Sequence, residues 1–185
     1  MRRIVIKDYH NIFIGEYPFH KQLKDEISPI LENWHDEMGK KTNVKATMTD
    51  WNWGSDIVRV QRLKECILKE VHSNMKWRTF DENDKVTDLI MHDFWGNIYK
   101  KGDYTIPHDH LKCDFSFAYF LKTKWYHPPL IFTTSRRKIR PKEGTYIIFP
   151  SYLIHHVPKN RFKETRITLV GNMSFDNKDL FSYVK

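Results

Sequence analysis

Apolar residues recur at steps of three and four in two stretches of the first half of the chain. The apolar positions of the first stretch are Phe19, Leu23, Ile27, Leu31, Trp34 and Met38. Those of the second are Ile57, Val60, Leu63, Ile67, Val71 and Met75. This spacing places each set on one helical face and predicts two amphipathic helices that pack on a sheet. Pro29 is expected to kink or restart the first helix, and Ser55 is a plausible N-cap of the second.

The remaining apolar residues predict strands. Residues 2–17 alternate, with Ile4 and Ile6 followed by Ile12 and Ile14. After about residue 84, short apolar runs separated by Gly and Pro predict strands at 86–99, 108–121, 130–134, 144–157 and 166–175. Many short strands with such punctuation are typical of a sandwich or barrel.

Helices first and strands later indicate a fold of the α+β class, mainly β, with the N-terminal helices packed on one sheet of a jelly roll. We expect a single domain over residues 1–185. Within it, residues 1–84 would supply strands plus supporting helices, and residues 85–176 the jelly-roll core.

Composition narrows the class of protein. Of 185 residues, 40% are hydrophobic and 15% aromatic, which excludes a disordered chain. No apolar run is long enough to span a bilayer, and the N-terminus has no secretory signal pattern. The cysteines are Cys66 and Cys113, which do not make a disulfide framework, so we expect a reducing, cytoplasmic setting.

The net charge of +8 favours anionic partners. The densest basic cluster, residues 135–142, falls between two predicted strands and is expected to be a loop. It either gathers an anionic substrate near a site or is a solvated hairpin tip, and the sequence leaves both open.

Histidines suggest a metal site. His108 and His110 are separated by one residue, so on a strand both side chains point from one face. A third imidazole arrives from the pair His155 and His156, which face opposite ways on a strand. Neutral imidazole suits divalent iron, zinc, copper and nickel. Asp109 competes with His110 as a ligand, but on a regular strand it faces away from both histidines, so we favour His110. Asp114 is a further, weaker candidate.

Four segments in the second half of the chain together resemble a known family. Trp95, Asn97, Tyr99 and Gly102 lead into the His108–His110 pair, and residues 114–121 form an apolar strand. Residues 144–158 contain Phe-Pro-Ser followed by Leu153, His155 and Val157, and residues 166–172 run Arg-Ile-Thr-Leu-Val-Gly-Asn. Their order and spacing are similar to those of the 2-oxoglutarate and Fe(II)-dependent oxygenases, in a prolyl-4-hydroxylase-like branch common in marine bacteria and their phages. The resemblance covers roughly residues 86–175.

The resemblance implies a double-stranded β-helix, also called a jelly roll, with iron at its mouth. It implies His108 and His155 as metal ligands, with His110 where most relatives have Asp. Arg166 would pair with the distal carboxylate of 2-oxoglutarate, and the other co-substrate contacts would come from Tyr99, Thr168 and Asn97. A site of three neutral ligands leaves the full divalent charge on the iron and strengthens its attraction for anions.

The implied activity is that of an Fe(II)- and 2-oxoglutarate-dependent dioxygenase, in the cytoplasm of a bacterium or a phage-infected cell. It would use O2 to hydroxylate a C–H bond of a protein residue or a small molecule, with release of succinate and CO2. The alternative is a metal-binding cupin in which Arg166 is structural and the histidines hold zinc, nickel or iron. A basic protein that binds nucleic acid is favoured least, because the sequence has no RNA- or DNA-binding motif.

Overall fold

Two antiparallel sheets and two helices make up the residues that the structure describes. The structure is a computed structural model, and it describes residues 9–35, 42–74 and 89–175. The helices are α1 (His20–Glu32) and α2 (Val58–Asn74). The strands are β1 (Phe13–Glu16), β2 (Val44–Lys45), β3 (Thr47–Met48), β4 (Leu89–Tyr99), β5 (Tyr104–His108), β6 (Phe115–Lys122), β7 (Leu130–Phe132), β8 (Arg137–Ile139), β9 (Thr145–Pro150), β10 (His155–Val157) and β11 (Arg166–Phe175).

Six of the described strands form one sheet, in the order β1-β9-β6-β11-β4-β3, and five form the other, in the order β2-β5-β10-β7-β8. The strands from the first part of the chain lie in both sheets. β1 pairs with β9, β2 with β5 and β3 with β4. The N-terminal stretch therefore completes the sheets as well as supplying the helices.

The six-stranded sheet is buried on both faces. On β6, Phe117 and Tyr119 pack in a cluster with the helices, whereas Ala118 and Phe120 belong to a second cluster shared with the five-stranded sheet. A strand covered on both faces reads as a continuous apolar run, as β6 does. On β11 the same alternation sends Ile167 to the helices and leaves its neighbours between the sheets.

The apolar face of α1 is confirmed, because Leu23, Ile27 and Leu31 are fully buried. Phe19 is not part of that face: it precedes the helix and is 56% exposed. Pro29 lies inside α1, which ends at Glu32, one turn later. A proline removes one N–H from the helical ladder, and the helix tolerates this loss close to its end. The predicted position Met38 lies outside the described residues.

The face of α2 is also confirmed, with Val60, Leu63, Ile67 and Val71 buried. The predicted cap was wrong, because α2 begins at Val58 and Ser55 lies too far upstream. The side chain of Gln61 instead donates to the carbonyls of Gly54 and Ser55 at 3.0 Å. Met75 lies outside the described residues. Among the described residues, neither helix is long and apolar enough to cross a membrane.

Two of the predicted strands were too long. The predicted strand 108–121 is broken, since β5 ends at His108 and β6 begins at Phe115. The predicted strand 144–157 is likewise two strands, β9 and β10, with a turn closed by the Leu153 amide donating to the Pro150 carbonyl at 3.1 Å. The first turn contains His110, and the second ends at His155, the first residue of β10. The predicted strand 166–175 matches β11.

The alternation predicted near the N-terminus was one residue out of phase. Phe13 packs against the helix-side core, while Ile14 is 60% exposed. β1 is an edge strand of the six-stranded sheet. An edge strand has less surface to bury, so its apolar pattern is a weaker guide to orientation. Residues 1–8 lie outside the described ranges.

Candidate active site

Three histidines come together at one end of the space between the sheets. His108, the last residue of β5, is the direct cross-strand partner of His155, the first residue of β10. Their ring centroids lie 4.5 Å apart. The ring of His110 lies 4.9 Å from that of His108 and stacks on that of His155 at 5.3 Å. One nitrogen from each ring lies within 4.8 Å of the others, which is close enough for a shared metal ion.

His110 reaches this cluster from a turn and not by strand alternation. Its backbone N–H donates to the Ser151 carbonyl at 2.8 Å, and its own carbonyl accepts from the Cys113 N–H at 2.9 Å. The first bond ties the turn after β5 to the turn between β9 and β10, and the second closes the turn after β5 itself. The cluster therefore forms where two turns meet at the end of the sheet.

The hydrogen bonds of two rings fix which nitrogen is free. The Nδ1 of His108 lies 2.8 Å from the Ile106 carbonyl, and the Nδ1 of His155 lies 2.8 Å from the Leu153 carbonyl. A carbonyl only accepts, so each Nδ1 carries the proton and each Nε2 keeps its lone pair. A backbone carbonyl on the outer nitrogen is the usual way in which a metal-binding histidine is oriented.

Burial keeps the imidazoles neutral. It lowers the pKa of His155 to about 3, and the neighbouring His108 lowers it further. It lowers the pKa of His110 to about 4, again with a contribution from His108, and it lowers the pKa of His108. Three neutral imidazoles in contact are ready to bind a cation, because no proton has to leave first.

The competing residues lie outside this cluster. In the described part of the chain, the metal-capable group is His108, His110 and His155 alone, without Asp109. His156 turns to the other side of β10, where its Nδ1 lies 2.9 Å from the Thr133 hydroxyl. The opposite orientation of adjacent strand residues explains why it lies outside the cluster.

The second group of predicted residues forms two adjacent cross-strand pairs. Arg166 of β11 lies opposite Tyr99 of β4, and Thr168 lies opposite Asn97. All four are buried. The Tyr99 hydroxyl lies 2.8 Å from the Thr105 hydroxyl, and the Asn97 Oδ1 accepts from the Trp95 indole at 3.0 Å. These bonds hold two of the polar side chains in fixed orientations between the sheets.

Arg166 is a buried cation with an incomplete set of partners. It is 1% exposed, and one terminal nitrogen donates to the Pro128 carbonyl at 2.6 Å. Among the described residues, its Nε has no hydrogen-bond partner. The guanidinium lies 5.3 Å from the Tyr99 ring centroid and 5.6 Å from that of Phe120. Burial lowers its pKa to about 10, so it stays charged at neutral pH. An unpaired buried donor on a cation is a ready site for a carboxylate.

Both groups line one cavity. A space of about 50 Å³ between the sheets is lined by the three histidines and by Arg166, Tyr99, Thr168 and Asn97. Such a space holds more than one water molecule or a small polar group. The site thus combines a metal-capable cluster with a buried cation in one enclosure.

Sequence reasoning missed the polar network beside His110. The Ser116 hydroxyl lies 2.9 Å from that of Ser151 and 2.8 Å from Asn172 Oδ1, and the Asn172 amide donates to Asp93 at 3.3 Å. Ser116, Ser151 and Asn172 stand in the family-like segments, which was the available signal. The sequence contains no signal for the Pro128 carbonyl that accepts from Arg166, because every residue has a backbone carbonyl.

The sequence of part of this site matches a protein family. Residues 127–172 match the family model described as "Putative 2OG-Fe(II) oxygenase". The segment includes His155, Arg166 and the Pro128 carbonyl partner. This segment is therefore similar in sequence to 2-oxoglutarate and Fe(II)-dependent oxygenases. No curated protein matches the chain in sequence.

Solved structures of oxygenases share the fold. The viral collagen prolyl hydroxylase of Paramecium bursaria Chlorella virus-1, in complex with 2-oxoglutarate, aligns with a TM-score of 0.62 and 15% identity over 90% of this chain and 96% of that one. HygX of Streptomyces hygroscopicus, with nickel and 2-oxoglutarate bound, aligns with a TM-score of 0.65 and 10% identity over 91% and 84%.

A third structure is a prolyl hydroxylase of Trichoplax adhaerens in complex with a peptide fragment of hypoxia inducible factor. It aligns with a TM-score of 0.62 and 14% identity over 94% of this chain and 87% of that one. Together these likenesses confirm the double-stranded β-helix predicted from the sequence.

Proposed function

We propose that this protein is an Fe(II)- and 2-oxoglutarate-dependent oxygenase that uses O2 to hydroxylate an unactivated C–H bond at a metal held by His108, His110 and His155. Arg166 anchors the distal carboxylate of 2-oxoglutarate in the same cavity. The observation that carries the proposal is the shared enclosure, in which the histidine cluster and the buried arginine line one space. Neither group alone would distinguish an oxygenase from a simple metal-binding protein.

The residues present fit both cofactors. Three neutral imidazoles are a donor set that divalent iron accepts. Among the described residues, the Nε of Arg166 has no hydrogen-bond partner. It can therefore donate to a carboxylate oxygen of a bound ligand. When bound, iron would activate O2, one oxygen atom of which oxidises 2-oxoglutarate to succinate and CO2 while the other hydroxylates the C–H bond.

The other side chains orient the co-substrate and keep water out. Tyr99, the cross-strand partner of Arg166, and Thr168, two residues along β11, line the same cavity and would offer their hydroxyls to the co-substrate, and the Tyr99 hydroxyl lies 2.8 Å from that of Thr105. Asn97 lies one step further along β4 and is held by the Trp95 indole. The aromatic rings of Tyr99 and Phe120 beside the guanidinium exclude solvent from the carboxylate contact, which strengthens it.

The structural role that the cupin alternative assigns to Arg166 accounts poorly for this geometry. A structural arginine buried to 1% exposure would be expected to satisfy its donors within the protein. In the described part of the chain its Nε is unsatisfied. We therefore assign Arg166 to the co-substrate.

The proposed substrate is a residue of a polypeptide. The cavity of about 50 Å³ is small, so the reacting C–H bond has to approach the metal from the mouth. The similar Trichoplax enzyme was solved with a peptide fragment, which supports this choice. Cys66 and Cys113 are free thiols, in keeping with a reaction in the reducing cytoplasm.

An anaerobic titration tests the proposal. Metal-free protein is titrated with Fe(II) and 2-oxoglutarate, and the visible charge-transfer absorption of the chelate is followed. His155→Ala and Arg166→Ala are compared with His156→Ala and Arg161→Ala, which change the adjacent histidine and an exposed arginine.

We expect a band in the wild type and in both controls. It should be lost in His155→Ala, and it should need at least about tenfold more 2-oxoglutarate in Arg166→Ala. A folded wild-type protein that binds metal but gives no band would overturn the proposal in favour of the metal-binding cupin.

A further inference from the structure

Four residues form a continuous row across the five-stranded sheet. His108 of β5 pairs with His155 of β10, His155 pairs with Phe132 of β7, and Phe132 pairs with Arg137 of β8. Neighbouring strands lie about 4.8 Å apart. Arg137 is two strands from His155, so its Cα lies roughly 10 Å away along the row. The metal cluster and the basic hairpin are thus parts of one line of cross-strand neighbours.

The side chains along the row share one face. Directly opposite residues of an antiparallel pair project to the same side of the sheet. His155 and Phe132 face the space between the sheets, and Ile139, two residues from Arg137, packs against the same core. Arg137 therefore leaves the sheet on the side of the metal cluster. Lys138, between Arg137 and Ile139, projects from the opposite face.

Arg137 is exposed, so its charge is available to a ligand at this rim. It follows a turn in which Arg136 adopts φ 58°, and its backbone N–H donates to the Ser135 hydroxyl at 3.3 Å. Arg136, Lys138 and Arg140 are also exposed. Among the described residues, Lys142 of this basic cluster pairs with Glu16, whereas Arg136, Arg137, Lys138 and Arg140 are in none of the ion pairs. The stretch predicted as a loop thus includes an edge strand, β8, that carries unpaired positive charge.

Exposed apolar side chains stand next to two of the site histidines in the chain. Leu111 follows His110 directly and is 72% exposed, and Ile154 precedes His155 and is 40% exposed. Tyr152, in the same turn as Ile154, is 49% exposed. The Thr133 N–H donates to the Ile154 carbonyl at 2.8 Å, which joins the turn of Tyr152 and Ile154 to the base of the basic hairpin.

We propose that the substrate is an acidic polypeptide segment that lies across this mouth, with a carboxylate on Arg137 and apolar side chains on Leu111, Tyr152 and Ile154. The inference rests on the proposed function, because it takes the histidine cluster to be the reaction centre. The positive charge of Arg137 and the exposed apolar side chains together favour a ligand that carries both a carboxylate and apolar groups. A guanidinium fits a carboxylate bidentately. An extended chain spans both sides of the mouth, whereas the enclosed cavity is too small for more than the co-substrate end.

Peptide binding tests the proposal without turnover. The probe is a fluorescein-labelled peptide of Glu-Leu-Pro repeats, and its partner carries Gln in place of every Glu. Fluorescence anisotropy with the metal-loaded protein gives both dissociation constants. Arg137→Glu is compared with Lys138→Glu, which makes the same charge change on the adjacent residue and on the opposite face of β8.

We expect the Glu peptide to bind at least about tenfold more tightly than the Gln peptide. Arg137→Glu should abolish this preference, and Lys138→Glu should retain most of it. Equal binding of the two peptides would overturn the proposal. An equal loss of the preference for the Glu peptide in the two variants would also overturn it, because it would indicate attraction to net charge alone. Free glutamate that displaces the peptide at equal carboxylate concentration would overturn the polypeptide assignment in favour of a small carboxylate. If the Fe(II) titration fails while the peptide preference holds, the proposed function is wrong and the acidic-ligand site remains.

Discussion

His108 and His155 are direct cross-strand partners, and each directs its Nδ1 to the backbone carbonyl two residues before it, at 2.8 Å. The two rings are therefore oriented by the same local device on neighbouring strands. His110 differs, because it is held through its backbone amide by the Ser151 carbonyl, at 2.8 Å. Two ligands of the proposed metal site are thus fixed by the sheet and the third by a turn.

This difference leads to a prediction about the third ligand. His110→Ala should weaken Fe(II) or Ni(II) binding by at least about tenfold, because it removes one of three converging nitrogens. Asp109→Asn should leave the metal affinity within about twofold, because Asp109 lies outside the cluster. Isothermal titration calorimetry of the metal-free variants measures both. A loss confined to Asp109→Asn would make the carboxylate the third ligand.

The co-substrate residues were named from the family resemblance, and the regular strands on which they lie explain why they meet. Arg166 and Thr168 stand on β11, and Asn97 and Tyr99 on β4, so alternation alone brings the four to one face once the strands pair. The helical faces followed in the same way from the spacing of Leu23, Ile27 and Leu31. In regular helices and strands, the spacing of apolar residues therefore predicts which side chains share a face.

The turns could not be predicted in this way. His110 was expected to join His108 by alternation on one strand, yet β5 ends at His108 and a turn brings His110 back. The pattern of apolar residues does not register a break between two strands when both flanks are apolar. The row that links His155 to Arg137 depends on the pairing of β10 with β7 and of β7 with β8. The register between strands that are distant in the chain cannot be predicted from a single sequence.

Arg166 should lower the free energy of unfolding of the protein when the co-substrate is absent. It is a fully buried charge whose Nε has no partner among the described residues. Arg166→Met keeps an unbranched side chain against Tyr99 and Phe120 and removes the charge. Replacing a buried ionic group by a hydrophobic one of similar size is often neutral or stabilising, by up to about 4 kcal/mol.

We therefore expect Arg166→Met to raise the urea midpoint of the metal-free protein while it abolishes 2-oxoglutarate binding. Chemical unfolding and the charge-transfer titration measure the two effects. Arg161→Met, at an exposed position, is the control and should change neither. A marked loss of stability in Arg166→Met would indicate that the arginine serves the fold.

His127 should make the stability sensitive to acid. It is 1% exposed, and its Nδ1 accepts from the Lys124 N–H at 3.0 Å. Burial, with a smaller contribution from Arg166, lowers its pKa below the ordinary 6.5. The unfolded chain then takes up the proton at a higher pH than the folded one. The resulting stability is present above pH 6.5 and is lost as the pH falls toward the folded-state value, by up to about 1.4 kcal/mol per pH unit.

His127→Asn removes this titration and can keep an acceptor near Lys124. Urea unfolding of the metal-free protein should show a smaller loss of stability between about pH 7 and pH 5 in the variant than in the wild type. The site histidines contribute equally to both proteins and cancel in the difference. Equal losses in the two proteins would exclude His127 as the source.

Gly171 allows two strands and an aromatic ring to meet beside the cavity. It lies on β11 between Phe94 of β4 and Phe117 of β6. A Cβ at this position would lie 2.6 Å from the Asp93 carbonyl oxygen and 2.6 Å from a carbon of the Phe117 ring. The carbonyl belongs to the backbone of β4 and cannot move without disturbing the ladder, so Gly171→Ala should destabilise the protein by about 1–3 kcal/mol.

Gly96→Ala is the matched control on the neighbouring strand. Its Cβ would meet the end of the Leu31 side chain at 3.0 Å and the Thr49 methyl at 3.4 Å, both of which can adjust. Alanine is also better suited than glycine to a strand interior, by roughly 0.5–1 kcal/mol, which offsets the crowding. We expect Gly96→Ala to change the free energy of unfolding by less than Gly171→Ala, as measured by urea denaturation. Similar losses in the two variants would mean that the backbone of β4 yields as readily as a side chain, so the close approach of Asp93 would not explain the glycine.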